Sequence, residues 1–274
     1  MRRFILINSK GETYDLSSGK SFMEEPNGLG YEYKANYENY NDFFVEISRE
    51  MKQPKVKGKV SFKSYEEYYN FVKFCQFRPL ELEYTSYKTF YMSCNVDKLS
   101  KAELGLGKRL SSDIEIVGIT PFYDKIIKKN TGVASSTGKT YSYTYPYTYS
   151  GTDTGVVEFE VESNMDSGVK MTMMGPLINP SWSYFVNGNK ILSGKINAVI
   201  ASGNRLVIDT TKSPYIIHEV NCWNELVADR YGDSDFSTKR FIQLMAGTNV
   251  ITCTHEGTNT ISMTMEAHVN YESV

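Results

Sequence analysis

Phe4-Ile5-Leu6-Ile7-Asn8-Ser9-Lys10-Gly11-Glu12-Thr13-Tyr14-Asp15-Leu16 commits the chain to β-structure from its first residues. Two short runs flank Asn8-Ser9-Lys10-Gly11, where the Asn and Ser side chains bond back to nearby backbone and Gly11 supplies the positive φ of a tight turn. Next comes Phe22-Met23-Glu24-Glu25-Pro26-Asn27-Gly28-Leu29-Gly30, which reads as a loop whose glycines permit close backbone approach. Nothing in these thirty residues handles a substrate, so they read as framework.

Outward from that hairpin the period of two continues. Residues 43–47, 56–62, 80–84, 90–96 and 114–119 are β-branched and aromatic runs bounded by Gly, Pro or Lys/Ser clusters, and read as strands of a mostly antiparallel sheet. One helix interrupts them. Ser64-Tyr65-Glu66-Glu67 has the capping-box pattern, Tyr65, Tyr68, Tyr69, Val72 and Cys75 recur at helical spacing, and Pro79 stops the run, giving a helix of about 13 residues.

After Pro121-Phe122-Tyr123 the composition changes. Residues 125–129 are basic and 131–140 rich in Gly, Ser and Thr, and every odd position from 141 to 149 is Tyr. An extended chain would put those five rings on one face. They would serve either as a stacking platform for sugars or a partner, or, the reading preferred, as an edge strand laid over a sheet with Pro146 on its free side. From 155 onward the pattern is all β: 155–162 alternates, Asn187-Gly188 marks a two-residue hairpin, and 198–201, 205–208, 215–220, 249–254 and 260–270 add short strands, the spacing of a β-sandwich. The expected organisation is a β-sandwich-like domain with one helix over 1–130, a linker with the Tyr-rich strand over 131–150, and a second β-sandwich over 151–274. The last strand, 263–271, has the option of returning to the first domain.

Composition narrows the function. The 274 residues suffice for two domains with real cores, and a net charge of −2 gives no basic excess for nucleic acid or a membrane surface. The apolar run of residues 4–7 is too short for a signal peptide, and no stretch approaches a membrane span. Cys75, Cys94, Cys222 and Cys253 lie far apart without a Cys-x-x-Cys spacing and read as reduced thiols of a protein made in a reducing cytoplasm. Chemistry is sparse. His218, His255 and His268 have no metal-ligand spacing, and Gly105-Leu106-Gly107-Lys108-Arg109 fails the phosphate-loop pattern at Ala102. Asp229, Asp233 and Asp235 crowd one loop and offer oxygens for calcium, but the turn glycine of the standard calcium loop is missing, so a solvated acidic loop is expected. There is no Gly-x-Ser-x-Gly elbow. No catalytic, cofactor or metal residue is expected.

The opening block with Tyr14-Asp15-Leu16, the Pro26-Asn27-Gly28-Leu29-Gly30 loop and Thr120-Pro121-Phe122-Tyr123 resemble the distal tail proteins of long-tailed bacteriophages and related prophages. In the second half Gly175-Pro176-Leu177-Ile178-Asn179-Pro180, Val186-Asn187-Gly188, 203–209 and 247–251 follow in that family's order. Phe122 departs from the Trp that members often carry there. The resemblance implies a non-enzymatic hub of the virion tail tip, assembled in the cytoplasm of the host bacterium. Its N-terminal domain would form a homohexameric ring and its C-terminal domain a galectin-like or carbohydrate-binding-module-like sandwich. Further copies of the chain, the tail tube protein, and tail-associated, tail-fibre or receptor-binding proteins are the implied partners. A closed ring needs one patch to meet a different patch on the next copy, and strand edges are ready donors of such contacts. Pro26, Asn27, Gly28, Leu29 and Gly30 are the candidate ring or tube contact. The alternative is a carbohydrate-binding module that stacks host cell-wall sugars on Trp182, Trp223, Tyr145 and Tyr147.

Overall fold

The computed structural model describes residues 2–101, 103–105, 107–131 and 154–274, so the Tyr-rich stretch with Tyr145 and Tyr147 lies outside the described residues. The chain divides into two units, Met1–Asp124 with Tyr271–Val274, and Lys125–Asn270. The division falls before the basic stretch rather than at residue 130, because the strand 122–131 runs without a break from one unit into the other. At the far end, only the last four residues rejoin the first unit.

In the first unit, β1 (Arg3–Ile7) and β2 (Thr13–Asp15) form the expected opening hairpin, with Leu6 opposite Tyr14. Asn8 organises its turn. The Asn8 Oδ1 accepts from the amides of Lys10 and Glu12, both at 3.0 Å, and Gly11 takes φ +79°. The segment expected as a loop is largely a strand, β3 (Ser21–Asn27), because Ser21 and Met23 alternate inward and the strand pairs downstream. Then follow β4 (Tyr33–Tyr40), β5 (Phe43–Met51), β6 (Lys55–Phe62), α1 (Tyr65–Phe74), β7 (Leu80–Thr85), β8 (Thr89–Leu99), β9 (Leu110–Gly118) and β10 (Phe122–Thr131).

Long β8 is the corner of this unit. Its first half pairs β7, from Thr85↔Thr89 to Leu80↔Cys94, and its second half pairs β9, with a bulge between Val96 and Lys98 that bends the strand from one sheet into the next. One arm continues β8-β7-β1-β2, and the other β8-β9-β6-β3. Their inward residues, including Phe4, Leu6, Met23, Val60, Phe62, Leu82 and Ile116, make one core. Helix α1 covers it with Tyr68, Phe71 and Phe74. The Ser64 Oγ accepts from the Glu67 amide at 3.2 Å, the N-cap bond the sequence predicts. At 10 residues the helix is shorter than expected, because Gln76 and Phe77 turn back onto the carbonyls of Lys73 and Phe74 and close it.

The second unit holds β11 (Gly155–Val161), β12 (Ser167–Met174), β13 (Leu177–Ile178), β14 (Ser181–Val186), β15 (Asn189–Lys195), β16 (Val199–Ile200), β17 (Arg205–Asp209), β18 (Ile216–Val220), β19 (Leu226–Asp229), β20 (Gln243–Leu244), β21 (Gly247–Thr254) and β22 (Ser262–Tyr271). One sheet is β11-β21-β14-β15, and the other includes β19-β18-β17-β12-β22. Strands alternate buried and open residues, as in Val157, Phe159 and Val161 against Val169, Met171 and Met173. The Cys253 Sγ reaches the Met171 Sδ at 3.5 Å, so the two sheets meet face to face as a sandwich. The chain is thus mainly β, with one α-helix among the described residues.

Candidate assembly surfaces

The stretch Pro26–Gly30 sits at the end of β3, where the β3–β6 register shifts between Glu24 and Asn27. Gly28 takes φ +88°, and a Cβ there would stand 1.9 Å from the Lys55 carbonyl oxygen. Close backbone approach is therefore real, but its partner is β6 of the same chain. Leu29 packs against the core of the first unit. What the stretch offers outward is Asn27, Gly30 and one wall of a cavity of ≈ 690 Å³ lined also by Tyr31, Lys52, Lys55 and Lys57. Lys55, Lys57 and Lys59 stand on alternate positions of β6 and are paired: the first two with Glu115 at 3.2 and 3.5 Å, the third with Glu25 at 3.6 Å. The hydrogen bond from Lys55 leads in holding the Glu115 carboxyl below its ordinary range.

Beyond this loop the chain leaves the sheets. Among the described residues β4 and β5 pair only with each other, from Tyr33↔Met51 to Tyr40↔Phe43, as a hairpin roughly 26 Å long at about 3.3 Å per residue. Asn41 and Asp42 join them at φ +46° and +71°, the pair of left-handed residues that a type I′ turn requires. The base is fastened. The Tyr33 hydroxyl bonds Glu272, Arg49 lies 3.9 Å over the Tyr33 ring, and Lys52 pairs with Glu32. The distal half is apolar and open: Phe43 is 76% and Phe44 73% exposed, with Tyr37, Tyr40, Val45 and Ile47 also exposed. Cross-strand pairing puts Tyr40, Phe43 and Val45 on one face and Tyr37 and Phe44 on the other. A two-stranded hairpin is marginal by itself in water, and this one shows apolar groups on both faces. The sequence reading placed a strand at 43–47 without assigning it a surface. The signal was Phe43-Phe44-Val45, three consecutive apolar residues that leave a strand no polar face.

In the second unit the two tryptophans separate. Trp182 is 2% exposed and its Nε1 donates to the Arg240 carbonyl at 2.9 Å, so the stacking role expected of it is corrected: β14 points it into the sandwich, where neither ring face is free. Trp223 is 79% exposed. Its loop is held rigidly: the Asn221 Oδ1 accepts from the amides of Trp223 and Glu225, and Arg205 Nη2 donates to the carbonyls of Asn221 and Cys222 and to the Asn224 Oδ1. Edge strand β19 follows directly and leaves Leu226 and Val227 exposed.

The acidic loop is committed to the fold. Asp229 accepts from the Tyr231 amide, Asp233 pairs with Arg230 at 3.0 Å, and Asp235 accepts from the Ser237 amide. Among the described residues no three His, Cys, Asp or Glu side chains converge as a metal site, and no helix is long and apolar enough to cross a membrane. His255 is tied to its own turn through Gly257 and Asn259, and His268 contacts Glu266 at 2.8 Å.

Fold and surfaces define a mainly β protein with an apolar, exposed β4–β5 hairpin and an exposed Trp223 loop. Residues 3–119 match the family model described as distal tail protein, N-terminal domain. In fold the whole chain is similar to a chain of the phage P2 baseplate in its activated conformation with calcium, at 17% identity, 100% coverage of both chains and a TM-score of 0.69. It is also similar to the SPP1 Dit protein, described as a paradigm of the hub adsorption apparatus in phages infecting Gram-positive bacteria, at 7% identity, 96% and 98% coverage and a TM-score of 0.58. No curated protein matches the chain.

Proposed function

We propose that this protein is the architectural hub of a phage tail tip: a virion component whose first unit closes into a cyclic, six-membered ring between tail tube and adsorption parts, with a galectin-like second unit carrying those parts. The observation that carries this reading is the distal tail match over residues 3–119, a region whose hairpin shows apolar groups that a solitary subunit would leave in water. Ring closure uses a heterologous interface, one patch against a different patch on the next copy. Pro26, Asn27 and Gly30 join it only at the rim, since Gly28 and Leu29 serve the subunit's own packing. Mass measurement with negative-stain imaging of the purified chain tests the proposal; closed rings support it, and a strict monomer at high concentration counts against it.

A second reading concerns the Trp223 loop. An exposed indole on a loop fixed by Arg205 is the arrangement of a preorganised contact, for a sugar ring or for an adsorption protein. A glycan array with the full chain and its Trp223→Ala variant separates the two: retention lost with the indole indicates sugar, and no retention by either indicates a protein partner.

A further inference from the structure

A heterologous ring needs a socket as well as a projection, and the first unit offers an apolar concavity of matching character. Between α1 and the end of β8 lies a groove of ≈ 480 Å³ lined by Tyr68, Val72, Cys75, Val96 and Leu99, with Gln76 and Arg78 at its mouth. It has room for aromatic side chains. Its floor is apolar: Val72, Cys75 and Leu99 pack on the core beneath and are only partly covered.

Charge fits one occupant. The hairpin segment 37–46 carries Glu38, Asp42 and Glu46 and no Lys or Arg. The residues around the groove include Lys73, Arg78, Lys98 and Lys101, all exposed, against Asp97 and Glu103, the latter bonded by the Tyr65 hydroxyl. Arg78 is directed across the mouth by its bond to the Val96 carbonyl at 3.3 Å, and Lys101 lies over the Tyr65 and Tyr69 rings. An acidic, aromatic tip and a basic, apolar groove complement each other in both shape class and sign.

We propose that the β4–β5 hairpin tip of one copy seats Phe43 and its face neighbours Tyr40 and Val45 in the α1–β8 groove of the next copy. This rests on the ring reading above and adds the pair of surfaces that closes it. Repeating tip-to-groove around a rotation axis consumes every tip and every groove, which covers the Tyr40, Phe43 and Val45 face of each subunit's hairpin at once.

The test uses the full-length chain. Placing p-benzoylphenylalanine at position 43 and irradiating a mixture of isotopically heavy and light copies is expected to give heavy–light crosslinks that map by mass spectrometry to the helix–β8 groove, at Tyr68 to Arg78 or Val96 to Leu99. Phe43→Ser/Phe44→Ser is expected to leave the thermal midpoint unchanged and weaken self-association by about a hundred-fold, as loss of a central aromatic anchor does. An Asp42→Lys variant should weaken association about ten-fold, with recovery in combination with Arg78→Glu. Rings that persist in Phe43→Ser/Phe44→Ser, or crosslinks that map elsewhere or within one copy, overturn the tip-in-groove contact while leaving the ring reading intact. A monomer in every variant and in the unaltered chain overturns both.

Discussion

At the residue scale, Gly28 and Glu219 show how local chemistry fixes each unit. Gly28 combines φ +88° with a neighbour that leaves no room for a Cβ, the Lys55 carbonyl 1.9 Å from where it would stand. Gly28→Ala is therefore expected to destabilise the first unit by about 2 kcal/mol or more, as a strained backbone and a clash together do, with the loss read by chemical denaturation. Glu219 is buried in β18 and meets Arg230 at 2.6 Å and Asn204 at 2.6 Å. Burial pushes its pKa up, but the bonds from Asn204 and Arg230 outweigh burial and hold the carboxyl below its ordinary 4.5. A depressed folded-state pKa adds stability that is full above the unfolded value and is lost as pH falls through the folded one. Glu219→Ala should thus cost the second unit about 3 kcal/mol at pH 7, because Arg230 loses its buried partner. The deficit should shrink below about pH 4; a penalty that is the same at pH 3 and pH 7 would sink the electrostatic account.

At the scale of elements, burial sorts the thiols as it sorts the strands. Cys94 on β8, Cys253 on β21 and Cys75 at the end of α1 are each pushed up to about 12 by burial, whereas Cys222 is exposed in the Trp223 loop. Only thiolate reacts at a useful rate, so a maleimide at pH 7 should label one site per native chain and four after denaturation. Two sites labelled natively would point to Cys75, which the α1–β8 groove leaves partly covered. The elements also show what was legible beforehand. The β1–β2 hairpin, the Ser64 cap and the Asn187-Gly188 turn between β14 and β15 each follow from side chains that act within a few residues of themselves. Trp182 and Trp223 were not separable, because a tryptophan's exposure depends on which sheet face its strand presents and on partners such as Arg240 and Arg205, distant in sequence. The β4–β5 projection is illegible for the same reason: alternation predicts a strand, but only the strand order of the folded sheets shows that, among the described residues, this one has no neighbour beyond its own hairpin.

At the scale of the whole molecule, the chain's last residues are structural members of its first unit. Tyr271 packs edge-on to Phe90 at 5.4 Å, Glu272 takes the Tyr33 hydroxyl at the hairpin base, and the Val274 amide donates to the Leu29 carbonyl at 3.1 Å. Val274 also packs against the core beside Leu29. A fragment ending near residue 130 would therefore lack pieces of the domain it is meant to isolate, although those pieces lie about 140 residues away in sequence. Deleting Tyr271–Val274 removes an aromatic contact, a backbone hydrogen bond and two side chains' worth of apolar cover, together on the order of 3 kcal/mol. The expected result is a lower unfolding midpoint for the first unit with that of the second unchanged, read by amide exchange on β1 and β8 against β12 and β21. Because Glu272 and Leu29 flank the root of β4, the same deletion should also loosen the hairpin and weaken self-association. Exchange rates on β4 and β5 unaltered by the deletion would show that the hairpin is held by Arg49 and Lys52 alone.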